Sequence, residues 1–163
     1  LDTLLVHSKA APEYLPRIAR AWLDAGMTIH ADGRAMSILG PIEDIRIVPA
    51  EEGDWGREFL SLDAAVKVVD SLDEALEHIE QYGSGHSEAV VTEDDSAATR
   101  FLDMVDAAVV LVNASTRFVD GGQFGLGAEV AISTSKMHAR GPMGLRELTS
   151  YKWVVRGSGQ VRE

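Results

Sequence analysis

The sequence predicts an α/β fold in which helices flank a parallel sheet, and three observations lead there. Short apolar runs at residues 65–69, 88–92 and 107–112 alternate with longer stretches whose apolar residues recur at helical spacing. The stretches between these runs are long enough to hold a helix and too long for a hairpin, which makes the strands parallel and the crossovers right-handed. The residues after the last run, 113–127, are rich in glycine, hydroxyl and amide groups, as expected where an open sheet gathers a ligand beyond its strand ends.

Taken in order, residues 4–6 read as a short buried strand. It begins almost at the first residue with no methionine or polar lead-in, so the sequence is expected to be a piece of a longer polypeptide. Residues 14–25 predict a helix with Leu15, Ile18, Ala19, Trp22 and Leu23 on one side and Gly26 as its terminator. Residues 27–29 read as a strand, Asp32-Gly33 as a turn, and residues 35–48, broken by Gly40-Pro41, as loop and short strands. After the strand at 65–69, Ser71 and Glu74 have the spacing of a capping box, Ala75, Leu76 and Ile79 form the inner face of a helix, and Gly83 ends it. The strand at 88–92 leads to a helix over 94–105 with Ala97, Ala98, Phe101, Leu102 and Val105 on one side, then to the strand at 107–112. A final helix is expected near 143–148 and a polar, aromatic strand over 151–156.

The chain has 163 residues, enough for one substantial core, and its 45% hydrophobic and 25% charged residues are ordinary globular values. No apolar run approaches the ~20 residues of a membrane helix, so no membrane is expected as a partner. The net charge of -11 would repel a phosphate backbone, which argues against nucleic acid. From Ser133 onward the balance reverses, with six lysines and arginines against two glutamates. A basic tail on an acidic body suits either an anion or an acidic neighbour. The chain contains no cysteine, which excludes disulfides and thiolate metal sites within it and is compatible with a cytoplasmic location. His78 and His86 lie too far apart for a compact ligand pair and no carboxylate completes a set, so no metal is expected.

Among residues that could carry chemistry, Asn113, Ser115 and Thr116 offer short, orientable hydrogen bonds at a strand exit, and Arg117 offers a bidentate fork for carboxylate or phosphate. The alternative for this stretch is a capped turn whose arginine pairs with a surface acid. Gly121, Gly122, Gly125 and Gly127 permit close backbone approach to an anion, and tight turns explain them as well. The order of residues 125–130 lacks the third small residue of a dinucleotide fingerprint. Glu58 sits among Glu51, Glu52 and Asp54, where it could be one more solvated acid.

The run at 112–129, with Gly141-Pro142-Met143-Gly144-Leu145, Leu148-Thr149-Ser150-Tyr151-Lys152, and the segment holding Ala75-Leu76, His78-Ile79, Tyr82-Gly83-Ser84 and His86-Ser87-Glu88, closely resembles the carboxyl-terminal portion of gamma-glutamyl phosphate reductases. These are aldehyde-dehydrogenase-like enzymes of proline biosynthesis. The resemblance implies a three-layer fold of the aldehyde-dehydrogenase catalytic-domain type, with a catalytic domain over residues 1–133. It also implies a carboxyl-terminal helix and oligomerisation strand over 134–163, with a homo-oligomer formed through the stretch from Tyr151 to Arg156. The activity it implies is NADPH-dependent reduction of gamma-glutamyl phosphate to glutamate 5-semialdehyde, through a cysteine thiolate expected just before Leu1. The fragment alone is then expected to be inactive. Trp55, Glu58, Phe59 and Leu60 resemble the segment whose glutamate holds the nicotinamide ribose, which makes Glu58 the cofactor-contact candidate. Ser115, Thr116, Arg117, Phe124 and Gly125 become substrate-binding candidates, and Asn113 a candidate support for the oxyanion. Two alternatives stay open: a noncatalytic binding or assembly module of the same fold, and the reductase portion of a bifunctional pyrroline-5-carboxylate synthase.

Overall fold

The computed structural model describes residues 1–162; Glu163, the last residue of the expected carboxyl-terminal region, lies outside the described residues. Its main sheet has four parallel strands: β1 (Thr3–His7), β2 (Thr28–Ala31), β3 (Ile47–Pro49) and β4 (Asp63–Val69), in the spatial order β1-β4-β2-β3. The helix α1 (Ala11–Asp24) carries the chain from β1 to β2 across the position that β4 fills later. It buries Ala11, Leu15, Ala19 and Leu23, a stripe at helical spacing, against the sheet. Gly26, at φ +84°, makes the left-handed turn that leads into β2.

The stretch expected as turn and loop after β2 is instead a helix, α2 (Gly33–Leu39). Asp32 is its N-cap rather than a turn residue. Its Oδ1 accepts from the Ala35 amide at 2.7 Å, which outweighs the low helix propensity of Gly33 in the first turn. Ala35 and Leu39 then join the core built from Val6, Leu15, Ala19, Ile29, Ala31, Val66 and Val68.

Beyond β4 the chain forms α3 (Leu72–Tyr82), β5 (Ser87–Val90), α4 (Asp95–Met104) and β6 (Val109–Val112). Ser71 caps α3 by accepting from the Glu74 amide, while Glu74 reaches back to the Asp70 amide, one residue earlier than a capping box would place it. Strands β5 and β6 pair in parallel, as expected of the second strand-helix-strand unit. The first unit differs from expectation: β5 joins no ladder with β4, because β1 and β2 already occupy both edges of β4. Phe101, Val105 and Ala107 form a second small core with Leu72, Leu76, Ile79, Val90 and Val110.

The expected helix at 143–148 is also replaced. Residues Gly141–Met143 form β8, antiparallel to β7 (Ala131–Ser133), and residues 145–148 make only turns. Leu145 and Leu148 are exposed, so a short helix there would have no apolar surface to cover and its nucleation would go unrepaid. The stretch from Tyr151 to Arg156 is likewise in no strand, since an isolated segment has no ladder to join. Lys136 and Arg140, from the basic region, both pair with Asp106 of the same chain. Among the described residues no helix is long and apolar enough to cross a membrane.

The core makes a direct prediction. Leu15→Ala, at a position with no exposure, should lower unfolding free energy by about 3 kcal/mol in urea titrations, whereas Tyr14→Ala, next to it on the exposed side, should lower it by under about 1 kcal/mol.

Candidate active site

The candidate residues fall in two places. One group follows β6. Asn113 takes φ +53° there, and its side chain spans the gap to the end of β5: Oδ1 accepts from the Thr92 amide and Nδ2 donates to the Thr92 carbonyl, both at 2.9 Å. The side-chain amide thus imitates one more rung of the β5–β6 ladder and leaves one Nδ2 hydrogen free. Ser115 then accepts from the Arg117 amide and starts a single 3-10 turn, Thr116–Phe118. Ser115, Arg117, Phe118, Asp120 and Gln123 line an open recess. Arg117 is exposed and makes no ion pair among the described residues, so the surface acid of the alternative reading is not found. Thr116, Phe124 and Gly125 do not line the recess: half-exposed Phe124 directly follows Gln123, and Gly125, at φ +76°, turns the backbone after it.

The other group lies on the connection from β3 to β4. Glu58 is exposed, with no hydrogen bond among the described residues. Its neighbour Phe59 directs its amide toward Asp2 Oδ1 at 3.4 Å, and the Ala65 amide donates to the Asp2 carbonyl at 2.8 Å. The Glu58 segment therefore meets the start of β1. No hydrogen bond or ion pair among the described residues joins this group to the one after β6.

Three features escaped the sequence reading. His30 lies between two carboxylates, with Nδ1 2.9 Å from Asp54 and Nε2 3.4 Å from Asp63. Burial pushes the Asp54 carboxyl up, but the Glu51 amide, His30 and Arg57 more than offset this and bring it below its usual range. His78 is buried against Trp55 and Tyr82, with Lys67 Nζ 3.4 Å from Nδ1. Burial first, and Lys67 second, hold its imidazole below the ordinary histidine range. Glu88 directs its carboxyl into the cavity between α3 and α4, beside Leu76, Ile79, Val105 and Ala107, and burial there raises it to about 7. A Cβ on Gly83 would sit 2.5 Å from the Ile79 carbonyl and 3.1 Å from Glu88, so only glycine fits at that bend. The contacts of His30 with Asp54, Phe59 and Asp63, and of His78 with Trp55, join residues more than 20 positions apart, where no local pattern could announce them. His86, expected as a structural hydrogen-bonder, has Nδ1 2.6 Å from Ser87 Oγ.

The helices against parallel strands define an aldehyde-dehydrogenase fold: the chain superposes with TM-score 0.68 on an acetylating aldehyde dehydrogenase from Geobacillus thermoglucosidasius, at 17% identity over 99% of this chain and 44% of the other. Within that fold its relatives are gamma-glutamyl phosphate reductases. The Dehalococcoides mccartyi protein of that name is 62% identical over 162 residues, 99% of this chain. The crystal structure of the Thermotoga maritima protein gives TM-score 0.89 at 51% identity, covering 99% of this chain and 38% of that one. The chain spans 38% of the length of the D. mccartyi relative. No family model matches it.

Glu88 yields a pH prediction. Its carboxyl is raised in the folded protein from 4.5 to about 7, so the folded state favours the protonated form. That contribution is whole below pH 4.5 and is lost as pH rises through about 7. Chemical denaturation of Glu88→Gln should therefore show a gain over the parent chain that is present at pH 8 and absent at pH 4.

Proposed function

We propose that the chain forms part of an NADPH-dependent enzyme that reduces gamma-glutamyl phosphate to glutamate 5-semialdehyde and phosphate in proline biosynthesis, in the cytoplasm. The observation that carries this reading is 62% identity to a gamma-glutamyl phosphate reductase along almost the whole chain. The chain has no cysteine, so in this reading the thiolate comes from polypeptide ahead of Leu1, and the 163 residues alone do not turn over substrate.

The geometry supports a division of labour. Glu58 presents an exposed carboxylate with no intramolecular partner among the described residues, beside the start of β1. It fits a ribose, whose hydroxyls would donate to it and so orient the nicotinamide. The nicotinamide, when bound, supplies the hydride. Arg117, exposed and without an ion pair among the described residues, offers two parallel N–H donors to a carboxylate or phosphate of the substrate. Ser115 and Thr116 add hydroxyls, Phe124 an apolar wall, and Gly125 a close backbone approach. Asn113, locked to Thr92, fixes the direction of this stretch, and its free Nδ2 hydrogen is the candidate donor to the oxyanion.

The stretch from Tyr151 to Arg156 supports a homo-oligomer. Tyr151, Trp153, Val154 and Val155 are each more than two-thirds exposed, an apolar segment that suits pairing with a sheet edge of a second copy.

Two experiments test these roles in the complete polypeptide. Glu58→Gln should raise KM for NADPH about tenfold with little change in KM for the acyl phosphate, and Arg117→Ala should do the reverse; identical effects of the two would refute the division. Reversing the charge of both Lys152 and Arg156 should shift the sedimentation coefficient toward that of the monomer, and an unchanged value would remove the proposed interface.

A further inference from the structure

The connection from β3 to β4, residues 50–62, holds no regular structure beyond the 3-10 turn Glu52–Asp54. Loops of this length and composition open readily unless something ties them down. Here Tyr82, whose hydroxyl donates to Glu52 at 2.7 Å, and His78, packed on Trp55, hold the first half of the connection, and the imidazole of His30 meets it on both sides of Glu58. Asp54, ahead of Glu58 in the loop, brings Oδ2 to 2.9 Å from His30 Nδ1. Phe59, directly after Glu58, tilts its ring against the imidazole, 5.0 Å between centroids and 42° between planes. Asp63, where the loop enters β4, brings Oδ1 to 3.4 Å from Nε2. Arg57 adds to the same cluster, with its guanidinium 5.2 Å from the Phe59 ring and 3.7 Å from Asp54.

The strand sets this geometry. Ile29 and Ala31 turn into the core beneath α1 and α2, so His30 between them must face the other side of the sheet, where the loop lies. Its backbone partner there is Ala65, two residues along from Asp63, so the register of β2 on β4 brings the two side chains to the same face. An imidazole presents two hydrogen-bonding nitrogens in diverging directions beside an apolar face, and both nitrogens and the face are used here. Asp54 is 5% exposed, so loss of His30 would leave a buried carboxylate short of a partner.

We propose that His30 is the positioning residue for Glu58: it fastens the loop before, beside and after the glutamate and so fixes where the carboxylate meets the cofactor. This rests on the cofactor reading of Glu58, and the test separates the two.

Trypsin cleavage after Arg57, followed by mass spectrometry on the native chain, reads the order of the loop. His30→Phe keeps an aromatic ring under Phe59 but removes both nitrogens. It should accelerate that cut about tenfold or more while cuts after Arg20 in α1 and Arg100 in α4 keep their parent rates. An unchanged cut at Arg57 overturns the proposal. If all three cuts accelerate together, the substitution has unsettled the whole fold, and Asp63→Ala, which removes the acceptor facing Nε2, becomes the deciding variant: it must accelerate the Arg57 cut selectively, and failure to do so also overturns the proposal. In the complete polypeptide, His30→Phe should raise KM for NADPH by more than it lowers kcat, and His30→Gln, which keeps an N–H donor for one of the two carboxylates, should recover part of the loss. A raised KM in Glu58→Gln with an unaltered KM in His30→Phe would refute positioning. An unaltered KM in Glu58→Gln would refute the cofactor reading, while the Arg57 cut would still decide whether His30 orders the loop.

Discussion

Strand β4 is the constraint on which the rest of the structure depends. Both of its edges are taken, by β1 and β2, and both of its faces are covered. Val66 and Val68 point into the core beneath α1 and α2. Ala65, fully buried, and Lys67, beside His78 of α3, point the other way. A strand enclosed on all sides reads as a continuous apolar run, as 64–69 nearly does, and Lys67 is tolerated because its ammonium lies toward the Trp55 ring, 5.9 Å from the centroid. Because β4 has no edge left, the strand that follows cannot pair with it, and β5 pairs with β6 instead.

The two faces of the main sheet have different chemistry. Toward α1 and α2 it is aliphatic, with Leu15, Ile29, Leu39 and Val66 fully buried. The opposite face is mixed: His30, Asp63 and Lys67 meet Asp54, Trp55, Phe59, His78 and Tyr82. Buried polar side chains have to be paired, and pairing fixes direction in a way aliphatic packing does not. The candidate cofactor residue hangs from this polar face, so the less apolar half of the sheet is the half that can hold a functional loop in one place.

Much of this was legible in local pattern. The stripe of Leu15, Ala19 and Leu23 announced α1, the apolar run at 65–69 announced β4, and Ser71 marked the start of α3. Helix α2 was missed although Asp32 is a good N-cap, because Gly33 directly after it reads equally well as a turn; the side-chain bond to the Ala35 amide decides between them. The helix expected at 143–148 was misread for the opposite reason: those residues have local preferences but no apolar surface to cover. At the site, the stretch after β6 was found as a composition, while the double bond from Asn113 to Thr92 and the His30 hub join positions 21 or more residues apart and belong to the tertiary fold alone.

Helix α3 packs into the second hydrophobic core with one side and onto the polar face of the main sheet with another. His78 packs toward β4 and the Trp55 turn, while Leu72, Leu76 and Ile79 pack with Phe101 and Val105 beneath β5 and β6. If the second sheet peels away, the apolar side of α3 is left in water; if the helix then loosens, His78 leaves its aromatic partners and the outer face of β4 is uncovered. The second core therefore cannot melt without uncovering the outer face of the main sheet. Two sheets that share no ladder are thereby bound into a single cooperative unit, and thermal or chemical unfolding of the chain should pass through one transition rather than two.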